Sequence, residues 1–100
     1  MIKRRGLHYV YMVRCKYGTF YTGYTKDVRK RLSLHNAGHG AKYLRGKGPV
    51  KLVYLEEFKS YKSAVKKERA IKALPREKKQ DIVDRYAKRI IRGGRIKVKK

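Results

Sequence analysis

From His8 to Tyr24 the chain alternates short runs of aromatic and β-branched residues, interrupted at Lys16-Tyr17-Gly18. This is the pattern of two strands joined by a tight turn. Loop length decides which side chains meet. A two-residue loop, Tyr17-Gly18, pairs Lys16 with Thr19 and sends Tyr11 and Tyr21 to opposite faces. A three-residue loop with Gly18 in the left-handed region pairs Cys15 with Thr19 and puts Tyr11, Val13, Tyr21 and Gly23 on one face. The second arrangement is the expectation, with Gly23 leaving room for a ligand beside two phenols. Tyrosine is also an ordinary strand residue, so the hairpin alone does not make a site.

Beyond the hairpin the period changes. Asp27 reads as the cap of a helix that runs to about Ala37 and ends at Gly38, with Val28, Leu32 and Leu34 as its buried stripe. Arg31 and His35, four apart, share a face flanking that stripe. Pro49 to Glu57, rich in Val and Leu, predicts a third strand, mostly buried and central in its sheet. Ser60 caps a second helix, which runs to about Leu74 before Pro75 interrupts it. Pro75 then takes the first position of a third helix, docked through Ile82, Val83, Tyr86 and Ile90. The order β-β-α-β-α-α predicts an α+β fold, a small three-stranded antiparallel sheet flanked by helices. Residues 1–7 read as a basic leader, 8–91 as one domain and 92–100 as a basic tail that acts as an electrostatic arm.

Charge narrows the function. Lys and Arg number 30 against 7 Asp and Glu, a net charge of +23 in 100 residues. Such a chain attracts polyanions, and nucleic acid fits better than a membrane because no long apolar segment is present. The basic opening is followed by too short an apolar run for a secretory signal, and the single cysteine, Cys15, offers no disulfide, so a reducing cytoplasm is expected. Residues 38–48, Gly-His-Gly-Ala-Lys-Tyr-Leu-Arg-Gly-Lys-Gly, read either as a mobile connector or as a loop that grips phosphate and stacks on a base. Lys42, Tyr43, Arg45 and Lys47, with Gly23 and Lys72, are the candidate nucleic-acid contacts. Lys66, Lys67, Arg69 and Lys72 form a solvated or phosphate-facing rim of the second helix. Glu68 is out of place: it falls between Val65 and Ile71 on the core side of that helix. An inward carboxylate is either paired with a buried arginine or holding a cation.

Tyr9-Val10-Tyr11, Tyr21-Thr22-Gly23, the helix with Arg31 and His35, and the later Glu68 resemble the GIY-YIG nuclease domain in motif, order and spacing. The likeness extends over about residues 8–83 and is closest to its small stand-alone branch, which His35-Asn36-Ala37-Gly38 and Gly40-Ala41-Lys42-Tyr43 also fit. The resemblance implies a metal-dependent endonuclease. Tyr11 and Tyr21 would take the places of the two motif tyrosines, Arg31 would stabilise charge on the phosphoryl group, His35 would stand where relatives carry histidine or tyrosine, and Glu68 would be the metal-binding carboxylate. It further implies one Mg2+ (or Mn2+) ion and a DNA substrate, single-stranded or branched, with RNA as the other nucleic acid. Tyr9 replaces the first glycine of the family name, and no asparagine follows Asn36 to match the family's distal one. A free phenol ionises near about 10, so nearby cations are expected to pull the basic tyrosine down. The competing expectation is a non-catalytic nucleic-acid-binding protein that keeps the scaffold for its charge.

Overall fold

The computed structural model describes residues 7–37 and 49–92, with side chains to residue 89. The 38–48 segment with Lys42, Tyr43, Arg45 and Lys47, the tail after Arg92, residues 1–6 and the Ile90 side chain lie outside the described residues. The elements follow the expected order: β1 (His8–Arg14), β2 (Phe20–Thr25), α1 (Val28–Asn36), β3 (Lys51–Phe58), α2 (Tyr61–Lys72) and α3 (Arg76–Arg92).

The hairpin closes with the three-residue loop. Gly18 has φ +89°, Gly18 N–H donates to the Cys15 carbonyl at 2.9 Å, and Cys15 N–H donates to the Thr19 carbonyl at 2.8 Å. A positive φ is the conformation glycine adopts without steric cost. This turn fixes the register, Tyr11 opposite Gly23 and Val13 opposite Tyr21. Because side chains alternate, those residues share one face.

The sheet order is β2-β1-β3, so β1 is the central strand and β3 lies at an edge. That corrects the expectation drawn from the apolar run of β3. The run is apolar because both faces of the strand are covered. A bulge shifts the pairing from Met12 with Tyr54 to Val13 with Leu52, leaving Val53 as the extra residue. Leu52 and Leu55 therefore pack in one cluster, and Val53 and Tyr54 in the other. Antiparallel strands on both sides of β1 follow from topology: the hairpin takes one edge, and the chain returning after α1 takes the other.

Two cores result. On one face Val10, Met12, Tyr54, Ala64, Ile71 and Val83 join the sheet to α2 and α3. On the other, Tyr11, Val13, Cys15, Val50 and Leu55 pack with Val28 and Leu32 of α1. Tyr86 packs against both clusters and so carries α3 along the outer side of β3. The caps form as the sequence implies. Asp27 Oδ1 accepts from Lys30 N–H at 3.0 Å, and Ser60 Oγ accepts from Ser63 N–H at 3.1 Å. Pro75 precedes α3 instead of opening it: its carbonyl accepts from Lys78 and Lys79 N–H, which makes it the residue whose oxygen begins the ladder.

The α1 stripe also differs from expectation. Leu34 is 36% exposed, and the buried residue of the helix is His35, at 2%. Helical geometry places Val28, Leu32 and His35 along one side, whereas Leu34 is rotated away from it. Ile71→Ala should therefore destabilise the protein by about 2–5 kcal/mol through a cavity in the α2 core, while Leu34→Ala should shift it by less than about 0.5 kcal/mol; urea unfolding of the two variants measures both.

Candidate functional site

The register puts the Tyr11 side chain over Gly23, and the contact is close. A Cβ on Gly23 would lie 2.5 Å from the Tyr11 phenol oxygen and 2.7 Å from ring Cζ. The space that the sequence reserves for a ligand is thus filled by Tyr11 itself, and Gly23, buried, serves the placement of that ring. This removes Gly23 from the surface expected to meet nucleic acid.

Tyr11 is 1% exposed. Its phenol and His35 Nε2 are 3.0 Å apart, both buried. Burial lowers the pKa of His35, and the nearby Arg31 charge lowers it further, both favouring the neutral imidazole. The Tyr11 phenol moves the other way. Burial raises its pKa well above the usual phenol value, Tyr21 and Glu68 add to the rise, and Arg31 opposes it. The expectation that surrounding cations would favour the phenolate is overturned at Tyr11: loss of hydration outweighs the guanidinium. A phenol that keeps its proton beside an imidazole shifted toward its neutral form can share that bond in either sense, the phenol donating to His35 Nε2 in the tautomer whose ring proton is on Nδ1 and accepting from it in the other.

Tyr21 completes the ring cluster. Its centroid lies 6.4 Å from that of Tyr11 and 5.8 Å from that of His35, the latter pair nearly perpendicular at 73°. It is half-buried, the more accessible of the two phenols. Arg31 is exposed on α1, one turn before His35, and its charge acts on both Tyr11 and His35.

Glu68 approaches from α2, which packs against β1 and β2 from the other face of the sheet. Its side chain is 17% exposed and close enough to raise the Tyr11 pKa. The inward position expected of it is therefore observed, but its ion-pair partner is an exposed lysine and not a buried arginine. Lys72, one turn on, sits with Nζ 3.0 Å from Glu68 Oε2. Lys72 thus turns toward the carboxylate because the i,i+4 spacing permits it.

Among the described residues no three His, Cys, Asp or Glu side chains gather into a cation cage. The donor chemistry fits a different kind of site. Mg2+ retains most of its waters and is held by one or two carboxylates together with substrate phosphates. A single, partly open carboxylate suits that requirement, and Lys72 supplies the positive charge it otherwise faces. A cleft of about 710 Å3 lies elsewhere, between β3 and α3, lined by Glu57, Arg85, Tyr86 and Arg89, and contains none of these residues.

Sequence reasoning missed Asn36, whose Oδ1 accepts from Val50 N–H at 2.7 Å and ties the end of α1 to the start of β3. A polar residue in the last turn of a helix, followed by glycines, is the signal that could have marked it.

Comparison with known proteins bears on the family and the fold. The GIY-YIG catalytic domain pattern matches residues 7–81. A UPF0213 protein of Haloquadratum walsbyi is 51% identical over 77 residues, 77% of this chain and 86% of that protein. A UPF0213 protein of Staphylococcus saprophyticus is 49% identical over 76% of this chain and 93% of its own. The solution NMR structure of the UPF0213 protein from Bacillus halodurans superposes with a TM-score of 0.53 at 47% identity, covering 78% of this chain and 83% of that one.

Two measurements check the site. Gly23→Ala should cost about 1–3 kcal/mol in urea unfolding, because the Tyr11 ring must leave its place, and most of that cost should vanish in a Tyr11→Ala background. His35, with its folded pKa below its unfolded value near about 6.5, binds fewer protons folded than unfolded in that window. Its contribution to stability is therefore present above that pH and lost as pH falls through it. Stability against pH should fall on acidification from neutral, and His35→Gln should flatten that slope relative to the parent protein.

Proposed function

Because the chain belongs to the GIY-YIG catalytic-domain family, we propose that it is a divalent-metal-dependent endonuclease that hydrolyses phosphodiester bonds in nucleic acid, DNA foremost, and prefers single-stranded or branched substrates. The observation that carries this reading is the buried Tyr11–His35 hydrogen bond beside Tyr21, within electrostatic reach of both Arg31 and Glu68.

Hydrolysis needs a proton taken from water, charge neutralised at phosphorus and a stabilised leaving oxygen. Tyr11 alone is a poor base, since burial holds its proton. In the tautomer that leaves His35 Nε2 unprotonated, however, the Tyr11 proton has an acceptor 3.0 Å away. As water transfers a proton to the Tyr11 oxygen, the Tyr11 proton passes to His35 Nε2, and the pair delivers a hydroxide to the phosphate while His35 becomes the cation. Arg31, next to both, opposes that cation but stabilises the growing negative charge on the non-bridging oxygens, so proton uptake and phosphoryl charging are favoured together only when the phosphate lies between them. Tyr21, the more accessible phenol, orients the water or the phosphate. Glu68 would hold one Mg2+ (or Mn2+), which when bound supplies charge neutralisation at the phosphate and leaving oxygens. Lys72 must give up its hold on Glu68 for that to happen, and its freed ammonium is then available to a neighbouring phosphate.

The Glu68–Lys72 ion pair also supports a second reading, a nucleic-acid-binding protein without catalysis in which Lys72 permanently neutralises the carboxylate. Cutting of labelled DNA and RNA, single-stranded, duplex and forked, with Mg2+ and with EDTA, separates the two. The endonuclease reading expects cutting with Mg2+ and none with EDTA. It expects Glu68→Ala, Tyr11→Phe and His35→Ala each to reduce cutting at least about a hundredfold, with substrate binding retained. Binding without cutting under every metal condition would leave the second reading in its place.

A further inference from the structure

At the open end of the hairpin, three rings that take no part in the site meet on the sheet face that carries α2. His8 and Tyr24 stack with centroids 5.8 Å apart at 22°, and His8 Nδ1 lies 2.6 Å from the Tyr24 hydroxyl. Tyr61, the first residue of α2, stands edge-on to Tyr24 at 5.3 Å and 83° and to His8 at 6.0 Å and 64°. Tyr61 is 59% exposed, although a tyrosine serving only the core would be covered. Lys59 and Lys62 flank it in the chain, and both are exposed.

We propose that His8, Tyr24 and Tyr61 form a stacking platform for an unpaired base of single-stranded nucleic acid, separate from the phenol site and feeding it. The chemistry is that of single-strand recognition: an open aromatic face that accepts any base, with ammonium groups on either side for the backbone. A duplex keeps its bases stacked inside and has no free face to offer.

The position supports the same occupant. Tyr61 and Glu68 are seven residues apart on α2, so they share one side of the helix, separated by about 10 Å along its axis. That span matches about three nucleotide steps of a stacked strand. A strand with one base on Tyr61 can therefore follow that side of α2 and present a phosphate at Glu68. A protein partner would be expected to want a broader apolar surface than three rings each carrying a polar atom.

The proposal rests on the nucleic-acid reading above, and binding measured in EDTA tests it apart from cleavage. Fluorescence anisotropy of a labelled oligothymidine and of a blunt duplex is read for the parent protein, Tyr61→Ala and Tyr61→Phe. Tyr61→Ala should weaken binding of the single strand about tenfold, the worth of one base stacked on an aromatic ring. It should leave duplex binding within about twofold, a change too small to count as loss of a stack, and Tyr61→Phe should bind like the parent. Circular dichroism shows whether Tyr61→Ala remains folded; His8→Ala serves as the second variant and should give the same selective loss. Equal affinity of parent and Tyr61→Ala for the single strand overturns the platform and leaves the endonuclease reading untouched. An equal loss on single strand and duplex also overturns it, since stacking would not act on paired bases. A parent protein that binds neither probe removes the nucleic-acid reading and the platform with it.

Discussion

One buried hydrogen bond organises the molecule. Tyr11 on the central strand and His35 on the first helix are both buried, and their 3.0 Å bond joins sheet to helix across the core they share. The bond needs the Tyr11 ring to lie across β2, which requires a residue without a side chain opposite it. Burial and Arg31 both favour the neutral form of His35 within it. The backbone register, the glycine and the helix placement are therefore a single constraint seen from three sides. A buried polar pair of this kind is costly to leave half-made, so its partners hold one another in place.

The surrounding charge works at a different range. A net charge of +23 gathers polyanions from solution, but the ring cluster itself is shielded, and its proton affinities are set by desolvation before they are set by cations. The surface thus concentrates phosphate while the interior decides protonation. Glu68 stands at the boundary between these regimes. It is enclosed enough to influence a buried phenol and open enough to pair with an exposed lysine.

Much of this was legible in the chain before any coordinates. The three-residue turn followed from Gly18, because a left-handed residue at that position sets the parity of every pair in the hairpin. The caps at Asp27 and Ser60 and the inward side of Glu68 followed from local hydrogen bonding and helical period. What escaped was whatever depends on which element covers which. Pro49 to Glu57 reads as a central strand because periodicity reports coverage of two faces and is blind to neighbours in the plane of the sheet. The bulge at Val53 breaks the alternation that would have revealed it. Leu34 looked buried because it is apolar, yet the helix turns His35 inward in its place. Gly23 signalled a vacancy correctly but could not say that Tyr11 fills it, and the sign of the Tyr11 shift depended on burial, which residue types near a site do not disclose. The rings of His8, Tyr24 and Tyr61 are scattered through the sequence and come together only through strand pairing and the start of α2.

The clasp between Asn36 and Val50 has a consequence for how firmly the imidazole is held. His35 directly precedes Asn36, so a bond from Asn36 to the backbone just ahead of β3 anchors the last turn of α1 at the point where the imidazole leaves it. Loss of that one amide oxygen would leave a backbone N–H without its acceptor and free the helix end to shift, and the shift would be felt at the contact between Tyr11 and His35. A buried ring is thereby steadied through the neighbour beside it in the chain.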